Sequence, residues 1–244
     1  MRAILLAAGY GTRLRPLTNT IPKCLVPIKG QPLLGIWLEN LTQAGIGPFL
    51  VNTHYLAEQV KAYLRESPFR DQVTLVHEED LLGTAGTLIA NIDFFNHGDG
   101  LLIHADNYCL ADFHAFVQAH EQRPSDCVMT MMTFRTNDPS SCGIVELDER
   151  GVVVGFYEKV AAPPGDLANG AIYLLSADLL EALATGLRTV KDFTTEVLQR
   201  FLGRIYTYQT DRVFVDVGTP TAYATANMAK TGANLFPEKN RPKK

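Results

Sequence analysis

An α/β fold built on a mixed, mostly parallel sheet flanked by helices is what this sequence predicts, on three grounds. The first half alternates short runs rich in Leu, Ile and Val with longer segments of helical period. Strands separated by helices imply a parallel sheet covered on both faces. The second half carries four strand-like runs with little helix between the middle ones, which extends the same sheet with mixed pairing. The 244 residues, 46% hydrophobic and 20% charged, have the composition of an ordinary globular domain. One domain is expected over 1–230, and the Pro- and Lys-rich remainder, 231–244, is expected to be a flexible basic tail.

The expected elements follow in chain order. Strands are predicted at Ala3–Ala8, Phe49–Thr53, Val73–His77 and Leu101–Ala105, each short and apolar. Between them, Leu33–Ala44 sets Leu34, Trp37, Leu38 and Leu41 on one helical stripe, with Gly45 as its stop. Leu56–Arg65 and Ala111–Gln122 have the same period. Further strands are predicted at Val128–Phe134, Ile144–Leu147, Val152–Tyr157 and Ile172–Leu175, and helices at Ala177–Ala184, Phe193–Leu202 and Thr219–Lys230.

Bulk properties exclude several classes. No apolar run approaches the roughly 20 residues of a membrane-spanning helix. The run Ala3–Ala8 is short for a signal peptide and leads straight into Gly9-Tyr10-Gly11-Thr12-Arg13, so a cytoplasmic location is expected. Cys24, Cys109, Cys127 and Cys142 form no CxxC pair, which points to reduced thiols and away from structural zinc. A net charge of −4 argues against broad nucleic-acid binding. Neither a membrane nor a nucleic acid is therefore an expected partner. Oligomeric state is not read from the sequence.

The glycine-rich segment after the first strand is the most informative. Gly9 and Gly11 stand where a Cβ would block a close ligand, and free backbone N–H groups in such a loop can point at phosphate oxygens. Arg13, Arg15 and Lys23 add positive charge. A Rossmann dinucleotide fingerprint would need glycine where Leu14 stands, and an acid where Asn52, Thr53 and His54 end the second strand. A Walker loop would need Gly-Lys-Ser/Thr, which is missing. Two acids follow apolar runs, Asp106 after Leu101–Ala105 and Asp216 after Val213-Phe214-Val215. In a parallel sheet the ligand crevice lies beyond the carboxyl ends of the strands, and Mg²⁺ favours carboxylates together with phosphate oxygens. Each acid alone is equally well a helix cap or turn residue.

Taken together, Gly9-Tyr10-Gly11-Thr12-Arg13-Leu14-Arg15-Pro16-Leu17-Thr18, Ile21-Pro22-Lys23, Asp106 and Asp216-Val217-Gly218-Thr219-Pro220 resemble the signatures of the sugar-1-phosphate nucleotidyltransferase family. The resemblance runs from Arg2 to about Ala226. It implies a Rossmann-like fold of the GT-A type and transfer of a nucleotide from an NTP to a sugar 1-phosphate, with Mg²⁺ as cofactor and release of pyrophosphate. By the same resemblance Ala8, Gly9, Gly11, Thr12, Arg13, Gly83 and Thr84 bind nucleotide, while Arg13, Lys23 and Asp106 are catalytic. Asp106 and Asp216 hold the metal, and Gly143, Glu158, Lys159 and Asn169 bind the sugar phosphate. Departures from the family pattern are mild. Ala105 replaces a usual Gly, Phe214 a usual Trp, Val160 a usual Pro, and Gly170-Ala171 inverts the usual order.

Gly83-Thr84-Ala85-Gly86 and Asp192-Phe193-Thr194-Thr195-Glu196-Val197 look most like the branch using GTP with mannose or manno-heptose 1-phosphate. A dTTP- or UTP-dependent hexose enzyme stays open, as does a non-catalytic regulator that binds nucleotide sugars. His104, beside Asp106, is read as a packing residue, because a sugar phosphate is already an anionic nucleophile and needs no general base.

Overall fold

The computed structural model describes residues 1–186 and 189–229. From the N-terminus come β1 (Arg2–Leu6), a run of 3-10 turns, a small hairpin of β2 (Pro27–Ile28) and β3 (Gln31–Pro32), α1 (Leu33–Gln43), β4 (Phe49–Thr53) and α2 (Ala57–Glu66). Next are β5 (Val73–His77), α3 (Thr84–Ala90), β6 (Gly100–His104), β7 (Asn107–Cys109) and α4 (Phe113–Glu121). The second half contributes β8 (Met129–Arg135), β9 (Gly143–Leu147), β10 (Val153–Glu158), β11 (Leu167–Leu175) and α5 (Ala177–Gly186). It closes with β12 (Ile205–Gln209), β13 (Phe214–Asp216) and α6 (Pro220–Met228).

One nine-stranded sheet runs in the order β10-β9-β11-β6-β1-β4-β5, with β8 also on β11 and β12 on β8. β6, β1, β4 and β5 pair in parallel, whereas β11 pairs antiparallel with β6, β8 and β9. The expected division into a parallel first half and a mixed second half is therefore found, within a single continuous sheet. Its central strands are buried on both faces. Ala3 and Leu5 pack with Trp37, Phe116 and Ile103 on one side, and Ile4 packs with Leu102, Tyr173 and Phe193 on the other. That is why these strands appear in the sequence as unbroken apolar runs.

Several expectations shift. The strand expected at Ile172–Leu175 begins at Leu167. The first strand stops at Leu6 instead of Ala8, because the Asn52 side-chain oxygen takes the Ala7 N–H at 2.7 Å and turns the chain out of the ladder. The segment expected to be a helix over 193–202 is a wide π-type turn, Phe193–Val197, followed by a 3-10 turn, Leu198–Phe201. Asp192 accepts from the Thr195 N–H, while Glu196 accepts from the N–H groups of Lys191 and Asp192, and these bonds fix the first turn away from α geometry. The helix expected over 219–230 is described as Pro220–Met228, capped by Thr219. The expected basic tail, 231–244, lies outside the described residues. Among the described residues no helix is long and apolar enough to cross a membrane.

Candidate active site

Beyond the carboxyl ends of β1, β4 and β6 the structure opens two adjoining hollows, of about 330 and 400 Å³, that share Arg13, His104 and Asp106. The loop leaving β1 forms the rim of the first. Gly9 has nothing within 4 Å of where a Cβ would stand, so its backbone faces open space. Gly11 is glycine for another reason. It has φ +62°, and a Cβ would press on Thr18 and Lys23 at 3.0 and 3.1 Å. Ala8, Thr12 and Arg13 complete this rim, and Gly83 and Thr84 stand across the same hollow.

The chain then brings together the residues that the sequence scatters. Lys23, only 7% exposed, donates from Nζ to Asp106 Oδ2 at 2.7 Å and lies 3.7 Å from Asp216 Oδ1. Arg13 Nη2 stands 3.7 Å from Asp216 Oδ2. Asp216 reaches this place because β13 pairs antiparallel with β7, and Asp216 faces Asn107. The Trp37 indole N–H donates to the Asn107 carbonyl at 2.8 Å and fixes that turn from below. Both carboxylates are about half exposed, 42% and 52%, and so remain open to a ligand. Around Asp106, packing works to raise the pKa, but the Lys23 charge and hydrogen bond, with His104, outweigh it and hold the group below the usual carboxylate range. His104 is pushed down, chiefly by burial, against the pull of Asp106, Asp192 and Asp216.

Two half-exposed carboxylates that already converge on one shared cation, with only oxygen donors, form a set that suits Mg²⁺. That ion is commonly held by one or two carboxylates plus phosphates and water. Among the described residues there is no group of three or more His, Cys, Asp or Glu side chains placed to bind a metal.

The second hollow gathers Gly143, Glu158, Lys159 and Asn169. A Cβ on Gly143 would meet the Phe156 ring at 2.6 Å and Glu158 Oε2 at 2.5 Å, so the glycine makes room for protein groups. Lys159 Nζ lies 3.2 Å from Glu158 Oε1 and is mostly exposed. Asn169 is largely occupied internally. Its Oδ1 accepts from the Ala171 N–H at 2.9 Å, and its Nδ2 donates to the Tyr173 hydroxyl at 2.7 Å. It shapes a bulge in β11, leaving one amide N–H for a ligand.

The loop before α3, which carries Gly83 and Thr84 and by resemblance is expected to meet the nucleobase (the base loop), also has structural partners. Gly83 has φ +80°, and a Cβ there would lie 2.4 Å from the Lys191 carbonyl. Thr84 does not cap the helix that follows. Its hydroxyl accepts from the Phe193 N–H at 2.7 Å, and Gly83 is the N-cap. Thr84 thus ties the base loop to the wall of the second hollow, where Asp192, Thr194 and Thr195 also stand. Asn52, Glu78 and Thr87 line the first hollow and were not singled out as site residues by sequence reasoning. The sequence signals only Asn52 and Glu78, as polar residues at the ends of two strand-like runs, and gives no signal for Thr87, which lies within α3.

Comparison with known proteins agrees with this geometry. The nucleotidyl transferase family model matches residues 2–232, and the chain belongs to that family. A putative mannose-1-phosphate guanyltransferase of Sulfolobus acidocaldarius is 29% identical over 93% of this chain and 62% of its own length. The mannose-1-phosphate guanylyltransferase of Mycobacterium tuberculosis is 30% identical over 89% of this chain and 61% of its own length. A glucose-1-phosphate thymidylyltransferase of Streptomyces griseus is 34% identical over 75% of this chain and 52% of its own length. The chain thus spans between about half and 62% of these relatives. Among solved structures, HddC from Yersinia pseudotuberculosis superposes with a TM-score of 0.79 at 25% identity, covering 93% of this chain and 97% of that one.

Proposed function

We propose that the chain is a sugar-1-phosphate nucleotidyltransferase that joins an NTP to a sugar 1-phosphate and releases pyrophosphate. The observation that carries this reading is the meeting of Asp106, Asp216, Lys23 and Arg13 at the junction of two hollows. One hollow is rimmed by the glycine loop and suits the nucleotide. The other, with Lys159 at its edge, suits the sugar phosphate. Their shared wall is where an attacking phosphate and an α-phosphate would meet.

The chemical difficulty is electrostatic. Two anions must approach, and charge grows on the departing pyrophosphate. A cation about 4 Å from a phosphate charge is worth ~4 kcal/mol at an effective dielectric near 20, before desolvation is subtracted. Arg13 would stabilise the leaving pyrophosphate, while Lys23 and Lys159 would hold the α-phosphate and the attacking phosphate. The loop Ala8–Thr12 would fix the triphosphate for in-line displacement through its backbone N–H groups. Asp106 and Asp216 would hold Mg²⁺, which when bound supplies further neutralisation of phosphate charge.

GTP with mannose or manno-heptose 1-phosphate is the substrate pair we favour, supported by the guanylyltransferases among the relatives. The thymidylyltransferase relative keeps dTTP with a hexose 1-phosphate as the second reading. A matrix of GTP, dTTP, UTP, ATP and CTP against mannose, manno-heptose and glucose 1-phosphates, read by pyrophosphate release, tests both. Release with GTP and a manno-configured substrate is expected. Nucleotide-sugar binding without release in any cell of the matrix would point to a regulator instead.

A further inference from the structure

Glu78 is 5% exposed, and among the described residues no ion pair joins it. A buried carboxylate without a cation persists only when donors surround it. Here there are three. Asn52 Nδ2 and the Thr87 hydroxyl donate to Oε1 at 2.8 and 2.6 Å, and the Leu82 N–H donates to Oε2 at 3.1 Å. The two partners past Glu78 in the chain belong to the base loop and its helix, while Asn52 belongs to β4.

Asn52 extends the chain of bonds in the other direction. Its Oδ1 accepts the Ala7 N–H at 2.7 Å, the bond that ends β1 and starts the glycine loop. A second path leaves the same residue. The Glu78 carbonyl can only accept, so His54 donates from Nδ1 at 2.8 Å, and its Nε2 then accepts from the Tyr10 hydroxyl at 2.8 Å. The glycine loop is therefore held where it begins, at Ala7, and at its middle, at Tyr10, by relays that meet at Glu78. That residue also holds the base loop at Leu82 and Thr87.

We propose that Asn52 and Glu78 are positioning residues that fix the glycine loop against the base loop, so that an NTP gripped at its base has its phosphates in line for transfer. The inference rests on the nucleotidyltransferase reading. It assigns to Asn52 the alignment of the triphosphate through Ala7, in addition to any part Glu78 plays at the floor of the hollow. Asn52 supplies one acceptor and one donor at once with no proton taken up, which aspartate beside a carboxylate does only by binding an extra proton.

Inverting the pair tests this. Asn52→Asp keeps the acceptor for Ala7 but places two carboxylates face to face. Adding Glu78→Gln restores one donor and one acceptor between them. Pyrophosphate release is measured for wild type, N52D, E78Q and the double variant, with KM taken for both substrates. The expected result is a kcat at least about 10-fold lower in N52D with KM for the sugar phosphate unchanged. In the double variant kcat should return to within about 3-fold of wild type. Asn52→Ser, which introduces no buried charge, should show the same kcat loss if N52D does not fold. Wild-type kcat in N52D or N52S, or a double variant no better than N52D, would overturn the proposal. Absence of release by the wild type itself would instead defeat the functional reading.

Discussion

Asp216 faces Asn107 across the antiparallel ribbon of β7 and β13, and this pairing sets its carboxylate beside that of Asp106, on the same Lys23 ammonium. Two acids from distant parts of the chain are thus joined by strand pairing, outside the main sheet. The cation between them is nearly buried, so the charge pattern of the site is built into the fold before any ligand arrives.

Lys23→Met removes that shared cation. The pKa of Asp106 should rise, since packing already pushes it upward and Lys23 is the main opposing influence. In the wild type the depressed value means that Asp106 contributes stability above its unfolded pKa of about 3.9, lost as pH falls through the folded value. In the variant that contribution should shrink, because the folded value moves up toward the unfolded one. A carboxyl-carbon NMR titration reads the shift, and turnover should fall about 10²-fold.

His120 predicts a second pH effect, far from the site. Its side chain is buried, with Nδ1 2.8 Å from the Thr130 hydroxyl and Nε2 3.4 Å from Asp99 Oδ2. Burial lowers the His120 pKa against the pull of Asp99, and the nearby His120 ring lowers that of Asp99. The folded protein therefore takes up a proton on His120 later than the unfolded chain does. Stability should be complete above about pH 6.5 and decline as pH falls through the folded value. Urea midpoints at pH 7.5 and 5.5 should differ in the wild type and differ less in His120→Asn.

Ala171 holds φ +52°, a left-handed conformation costly for a residue with a Cβ. Ala171→Gly should stabilise the fold by about 1 kcal/mol in chemical denaturation. Gly170→Ala should do the opposite by about 1–3 kcal/mol, because its Cβ would lie 2.9 Å from the Met132 carbonyl oxygen. The order Gly170-Ala171 places the glycine where a neighbouring strand leaves no room, and the strain falls on the next residue.

Thr84→Val deletes the acceptor for the Phe193 N–H and loosens the base loop from the second hollow. KM should rise for both substrates, whereas Thr84→Ser should keep near-wild-type values. Steady-state kinetics with each substrate varied in turn checks the pair.

These outcomes depend on features of differing visibility in the sequence. Phe49–Thr53 and Val73–His77 were legible to the residue, because short runs rich in Leu, Val and Phe bounded by turn residues mark strands whether they are fully buried, as β4 is, or half-buried at the sheet edge, as β5 is. The glycine loop, Lys23 and the two acids were legible as motifs. Local pattern did not reveal the β7–β13 ribbon, since three-residue strands carry too little period, nor the turn at 193–197, whose apolar spacing imitates a helix. Asn52 and Glu78 were hidden for a related reason. A buried polar residue gains meaning only once its partners are known, and those lie in other elements.

The central claim is that Asp106 and Asp216 together form the charge centre of the transfer site, and the most direct measurement is Mg²⁺-dependent pyrophosphate release by Asp216→Asn. This side chain is half exposed and has only long ion-pair contacts, so the melting temperature should stay near that of the wild type. Turnover is predicted to fall by about 10²–10³-fold with substrates that the wild type uses. Undiminished release by a folded Asp216→Asn would contradict the account.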